Sequence, residues 1–254
     1  MSRSRRFRGG ARLRVVRLRG TARLPSFGAM RVKFCGITRI EDAQEAARLG
    51  AWAIGLNHHP ESPRFCEPDA AVEIGAGLRR RLEIVGVFVN SSLDEVVAAA
   101  ENEALSMIQL HGDEGPAFCQ EAARRTGCKV IKALGVRSAA DVQAAEAYRT
   151  DFHLLDAYHA DLPGGTGESF DWELLAARRS EVPLILAGGL TPTNVAEGIG
   201  VARPFAVDVA SGVETEPGVK DHARMAIFLE RAQAASAREE GADGPGEPEP
   251  RVIA

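Results

Sequence analysis

Arg31-Val32-Lys33-Phe34-Cys35-Gly36-Ile37-Thr38 is the stretch on which the fold turns. An apolar run ends at Cys35, Gly36 breaks it, and an alanine-rich helical pattern begins near Ile40, so the segment reads as strand, loop and helix start. The same succession recurs, eight times in all, from Met30 to about Ala235. It predicts strands at Arg31–Cys35, Ala51–Leu56, Glu83–Val89, Ser106–Leu110, Lys129–Leu134, Phe152–Asp156, Pro183–Ala187 and Phe205–Val209. Helices are predicted to start near Ile40, Pro68, Ser92, Glu114, Ser138, Phe170, Thr191 and Lys220. Asp94, three residues after Ser91, and the pair Thr191-Pro192 supply ordinary start signals for two of them. Eight βα units within one domain favour closure into an α/β (βα)8 barrel over an open sheet, although spacing alone does not prove closure.

Length and composition agree with one such domain. The chain has 254 residues, 45% of them hydrophobic and 26% charged, which suffices for a full core and lies within the size range of a single barrel. Cys35, Cys66, Cys119 and Cys128 form no C-x-x-C pair or zinc-ligand spacing, so free thiols in a reducing, cytoplasmic setting are expected. The formal net charge is only -4. No apolar run approaches the ~18 residues of a membrane helix. Neither a membrane nor a nucleic acid is expected as a partner.

Charge is nevertheless uneven, because residues 1–29 carry nine arginines and no acid. A disordered basic arm, a nucleic-acid arm and a transit peptide are alternatives. Met30 directly precedes the first strand, so the preferred reading is an upstream extension from a misplaced start. The barrel is expected over residues 30–235. Residues 236–254, acidic and rich in Pro and Gly from Gly241 to Pro250, are expected to form a solvated, disordered tail.

Side chains alternate faces along a strand, so Lys33 shares a face with Cys35, Gln109 with His111, and Ala206 with Asp208. Phe34 and Leu110 then face the helices. Lys33, Gln109 and Asp208 inside a barrel must find partners, because an isolated buried charge is strongly disfavoured. A polar cluster near the mouth is the expected outcome, and for Lys33 that cluster need do no more than satisfy itself.

Cys35 and Asp156 each end a predicted strand, Asp156 opening a glycine-rich loop, and barrel enzymes draw their chemical groups from strand ends of this kind. Leu186-Ala187-Gly188-Gly189-Leu190-Thr191-Pro192 and Val209-Ala210-Ser211-Gly212-Val213-Glu214 follow the seventh and eighth strands, where barrels that bind phosphate place their anion site. Backbone amides at Gly188, Gly189, Ser211 and Gly212 are therefore candidate phosphate ligands. His58-His59-Pro60-Glu61-Ser62-Pro63-Arg64 is a loop stiffened by prolines. Arg64 in it is a candidate bidentate partner for a carboxylate or phosphate, against the commoner fate of a surface arginine. A metal at His58 and His59 is disfavoured: only His111 stands at another strand end, without an evident carboxylate companion.

Together these segments carry a resemblance. Lys33-Phe34-Cys35-Gly36-Ile37-Thr38, Ser62-Pro63-Arg64, Gly86-Val87-Phe88, Gln109-Leu110-His111-Gly112, Gly164-Gly165-Thr166-Gly167, Leu186 to Leu190, Asn194-Val195, Asp208-Val209, Ser211 to Glu214 and Pro217 to Asp221 look like phosphoribosylanthranilate isomerase of tryptophan biosynthesis, from about Arg31 to Ala232. The resemblance implies a TIM barrel without cofactor or metal, acting on a small molecule as a monomer or homodimer. It implies an Amadori rearrangement of N-(5-phosphoribosyl)anthranilate, with Asp156 as general acid and Cys35 as general base. Arg64 would take the anthranilate carboxylate, and Asp208 and His111 would lie near the ribose. Two departures are noted: Asn57-His58-His59 replaces the usual aromatic or aliphatic residues, and Ala210 stands where the family commonly has a serine. Another phosphosugar isomerase or epimerase, or a catalytically silent phosphate-binding barrel, is the alternative. An epimerase should carry metal-ligand histidines and acids on several strands, and the related isomerase of histidine biosynthesis an aspartate in place of Cys35.

Overall fold

A computed structural model of the chain describes residues 29–157 and 172–242. The expected basic extension up to residue 28, the motif at 164–167, the helix start at Phe170 and the tail from 243 onward lie outside the described residues.

Eight parallel strands close into a barrel in sequence order. They are β1 (Arg31–Cys35), β2 (Ala53–Asn57), β3 (Glu83–Phe88), β4 (Met107–Leu110), β5 (Lys129–Val136), β6 (Phe152–Ala157), β7 (Leu184–Leu186) and β8 (Ala206–Val209). Closure is made by β1 on β8, in the register Arg31↔Ala206 and Lys33↔Asp208. Around them run α1 (Ile40–Leu49), α2 (Pro68–Leu78), α3 (Leu93–Asn102), α4 (Pro116–Thr126), α5 (Ala139–Ala144), α6 (Val195–Ala202) and α7 (His222–Ala242). A 3₁₀ turn, Trp172–Ala177, takes the place before β7 where a further helix was expected. Helix α7 continues past Ala235, the expected end of the barrel. A two-stranded hairpin, β9 (Glu214–Glu216) and β10 (Val219–Lys220), follows β8.

Several boundaries differ from expectation for local reasons. Strand β2 starts at Ala53, because Gly50 caps α1 in the left-handed conformation and the Ala51 amide still bonds back to Ala46. The capping box of α3 is Ser92 with Glu95, one residue beyond the Ser91 and Asp94 pair. Helix α4 starts at Pro116 because the Glu114 carboxylate is already engaged by the Asn90 and Gly112 amides and by Lys132. Helix α6 begins only at Val195, since Asn194 folds its side chain back onto the Thr191 amide and the Gly189 carbonyl.

Alternation along the strands divides the core as predicted. Phe34, Ile54, Leu110 and Val207 pack outward against the helices, whereas Ala53, Val85, Met107, Ile131, Leu154, Ile185 and Ala206 fill the barrel. Trp52, Phe152 and Phe205 meet at centroid separations of 5.2–5.7 Å and floor the amino-terminal end. The Arg31 guanidinium lies 4.2 Å over the Phe205 ring. The polar residues gather at the other end.

One buried acid ties the first helix to the last. Asp42 of α1 accepts both guanidinium edges of Arg39, the backbone amide of Lys220 and the His222 imidazole. Replacing it by alanine strands the Lys220 amide in a buried site and removes a charge-assisted network, which costs about 2–3 kcal/mol. Asp42→Ala is therefore expected to lower the denaturant midpoint of the barrel at unchanged m-value, read by circular dichroism.

Candidate active site

Strand β1 brings its second and third inward residues, Lys33 and Cys35, to the mouth. Lys33 is fully buried, and its ammonium lies 2.9 Å from Asp208 Oδ1 across the closing seam. Of the expected cluster, Lys33 and Asp208 pair with each other, whereas Gln109 reaches His111 and its buried Oε1 has no hydrogen-bond partner. Cys35 stands one pleat above Lys33, partly open to the mouth. Neighbouring Gly55 is what makes room for both. A Cβ there would come within 2.8 Å of Cys35 Sγ and 3.1 Å of Lys33 Nζ. Burial pushes the Cys35 thiol up, with the ammonium groups of Lys33 and Lys220 pulling it the other way; burial prevails. Burial by itself would depress Lys33, but Asp208 and Cys35 hold its ammonium above the ordinary lysine value.

Across the mouth, three strands from β1 by way of β8 and β7, β6 presents Asp156. Asp156 is paired in register with Gly135 of β5. His111 Nε2 is 3.7 Å from Asp156 Oδ2, too long for a direct hydrogen bond. A third of the His111 side chain opens to solvent. Burial of its inner edge and the Lys33 ammonium nonetheless hold its pKa below the usual imidazole range, so it is neutral at pH 7. Its Nδ1 is 3.3 Å from the Gln109 amide nitrogen, which fixes the ring from below.

Arg64 does come to the rim, but its fork is occupied. Nε and Nη2 donate to both oxygens of Glu214 at 2.7–3.1 Å. The left-handed Gly36 lets this side chain lie across the end of β1, where a Cβ would meet Arg64 Cδ at 2.5 Å. Glu214 in turn accepts from Lys220 Nζ at 2.7 Å, and the same ammonium donates to the carbonyls of Cys35 and Ala210. All three Lys220 hydrogens therefore have acceptors. Burial would raise Glu214, but Arg64 and Lys220 hold its carboxyl below the ordinary range. Sequence reasoning noted Glu214 and Lys220 only as parts of a pattern. The signal was present in an acid and a lysine six residues apart, bracketing Pro217-Gly218.

The loops after β7 and β8 come together at Gly212. Gly188 and Gly189 both have positive φ, at 86° and 62°. Gly212 packs so close to the preceding loop that a Cβ would fall 2.0 Å from the Leu190 carbonyl oxygen. Ser211–Val213 form a single 3₁₀ turn, whose leading amides have no partner within the turn. Ala210, at the position of the expected serine, offers only its backbone here.

The second strand end behaves differently from a substrate wall. Asn57 braces the Arg64 loop by bonding Ser62 Oγ and the His59 amide. His58 stacks on Phe88 at 4.6 Å and bonds Glu103 at 2.7 Å, directed into the seam beside α3. Among the described residues no three His, Cys, Asp or Glu side chains converge as a metal site.

Known proteins with this sequence and shape point one way. The family model for N-(5'phosphoribosyl)anthranilate (PRA) isomerase matches residues 32–231. The N-(5'-phosphoribosyl)anthranilate isomerase of Geobacter sulfurreducens is 47% identical over 204 residues, covering 80% of this chain and 98% of its own. The crystal structure of phosphoribosyl anthranilate isomerase from Thermotoga maritima superposes with a TM-score of 0.73 at 40% identity, over 81% of this chain and 99% of that one. Another structure of this enzyme, in complex with reduced 1-(o-carboxyphenylamino)-1-deoxyribulose 5-phosphate, gives 0.70 at 38% identity over 81% and 99% of the two chains. With its closed barrel, its Cys35 and Asp156 strand ends and this breadth of match, the chain belongs to the N-(5'-phosphoribosyl)anthranilate isomerase family.

Proposed function

We propose that this chain isomerises N-(5-phosphoribosyl)anthranilate to 1-(2-carboxyphenylamino)-1-deoxyribulose 5-phosphate, with Cys35 as general base and Asp156 as general acid. The observation that carries the assignment is the setting of Cys35 beside the buried Lys33 ammonium, with Asp156 and a neutral His111 on the opposite wall.

In the first step Asp156 gives its proton to the furanose ring oxygen as the C1′–O4′ bond breaks. The anilino nitrogen lone pair moves in to form a C1′=N iminium. Cys35, as thiolate, then takes the proton from C2′, and the C–H electrons form a C1′=C2′ double bond while the iminium is neutralised. Tautomerisation of the resulting enaminol gives the 2-keto product. No redox partner or cofactor enters. The Lys33 ammonium stabilises the thiolate by Coulomb attraction at close range, which counters the cost of burial.

Binding is assigned to the rim. Amides of Gly188, Gly189, Ser211 and Gly212 suit a phosphate dianion, and the crossing of the two loops at Gly212 supports this. Arg64 suits the anthranilate carboxylate: Nε and one Nη2 hydrogen go to Glu214, and three of its five N–H donors are not used by that pair. Asp208 and His111 suit the ribose hydroxyls. Four free cysteines fit a reducing cytoplasm. A monomer or homodimer accommodates this site, the isomerase from Thermotoga maritima having been described as dimeric.

Three expectations follow from these roles. Cys35→Ala and Asp156→Asn should each lower turnover by at least ~100-fold, while affinity for a reduced, non-rearranging analogue survives; turnover near that of the wild type in either variant would sink the assignment. Next, the pH profile. Since the thiol is raised and only the thiolate is active, kcat/KM of the free enzyme should climb with pH through neutrality. Removing the cation that favours the thiolate in Lys33→Met should displace this limb to higher pH, and an unmoved limb in a folded variant would exclude Lys33 from tuning the base. Lastly, Gly212→Ala should raise KM before it lowers kcat, because its new methyl forces the two phosphate loops apart; steady-state kinetics separates the two parameters.

A further inference from the structure

We propose that Lys220, which is too deep to touch substrate, is a positioning residue for carboxylate recognition: it fixes Glu214, and through Glu214 the guanidinium fork of Arg64. The inference rests on the reading that Arg64 receives the anthranilate carboxylate. Glu214 Oε1 accepts from Lys220 Nζ at 2.7 Å and from Arg64 Nε at 2.9 Å, so one carboxylate oxygen couples the two cations. Lys220 is only 3% exposed. Its remaining hydrogens are taken by the Cys35 and Ala210 carbonyls, which leaves the ammonium no freedom to move.

Charge and geometry point the same way. An isolated Arg64–Glu214 pair would be neutral, and Glu214 would repel the carboxylate that Arg64 is meant to attract. With Lys220 the three groups sum to one positive charge, and the Glu214 charge is compensated from below. The backbone holds this arrangement too. Thr38 donates to the Gly218 carbonyl at 2.6 Å, and the turn of the β9–β10 hairpin packs so near the Arg64 loop that a Cβ at Gly218 would lie 3.3 Å from the Pro63 carbonyl oxygen. Rim loops following β1, β2 and β8 are thus pinned together, so that Arg64 meets a ligand without a search over rotamers.

A merely structural prop would affect every ligand alike, which the test exploits. Lys220→Met in the full chain is titrated with reduced 1-(o-carboxyphenylamino)-1-deoxyribulose 5-phosphate and with its phenylamino counterpart lacking the carboxylate. Neither ligand reacts, so loss of the Cys35 contact does not enter the result. Affinity for the carboxylated ligand should fall roughly tenfold, with affinity for the other unchanged. Equal weakening of both ligands, or of neither, overturns the proposal. Where the lone substitution prevents folding, Glu214→Gln with Lys220→Met removes the buried pair together, without an orphaned charge, and should show a smaller loss of the same selectivity. Arg64→Met separates the two levels. If it fails to discriminate between the ligands, the carboxylate lies elsewhere and the inference falls with that reading. If it discriminates and the Lys220 variants do not, only the role of Lys220 is lost.

Discussion

The ion pair between Lys33 and Asp208 is the constraint on which the rest of this barrel depends. Lys33 and Asp208 are register partners in the seam that joins the first strand to the last, and their charged atoms lie 2.9 Å apart with almost no exposure. Two charges taken out of water cost several kcal/mol each unless they find one another. Shifting β1 by one residue would send Lys33 among the helices and leave Asp208 alone inside. Closure is thus accepted in one register, and that register sets Cys35 directly above the cation that counters its burial. Closing the barrel and setting Cys35 beside the Lys33 ammonium are one event.

Much of this was legible because the governing signals are local. Hydrophobic runs and their punctuation sufficed to place all eight strands, β1 to the residue, and alternation sorted Phe34 from Lys33 and Leu110 from Gln109. Strand ends then gave Cys35 and Asp156 their position without any structure. What could not be read depends on contacts distant in sequence. Nothing near Arg64 announces that its fork is held by Glu214, 150 residues on, or that Lys220 lies beneath. His58 stood in the sequence only as a disfavoured metal ligand and a departure from the family pattern, and its bond to Glu103, 45 residues on, could not be read there. Short-range capping also misled by small steps: the α3 cap is Ser92 and not its neighbour Ser91, and α6 starts after Asn194, three residues beyond Thr191.

The rim has an electrostatic logic of its own. Two buried pairs, Lys33 with Asp208 and Lys220 with Glu214, flank Cys35 from different sides, each an ammonium held by a carboxylate. Neither pair adds net charge; both ammonium groups favour the thiolate, while Asp208 and burial oppose it. Dipoles fixed in this manner act without reorganising when charge moves. Long lysine stems suit the task, because they reach from the packed interior and are held by it.

The aromatic floor of Trp52, Phe152 and Phe205, sealed from outside by Arg31, turns the barrel into a blind cup. Among the described residues, the polar side chains gather at the opposite end. Under the proposed roles, a ligand seated at the mouth stands between Cys35, Asp156 and the bulk. Under those roles the hydrogen taken from C2′ leaves away from the aromatic floor, toward the polar end of the barrel.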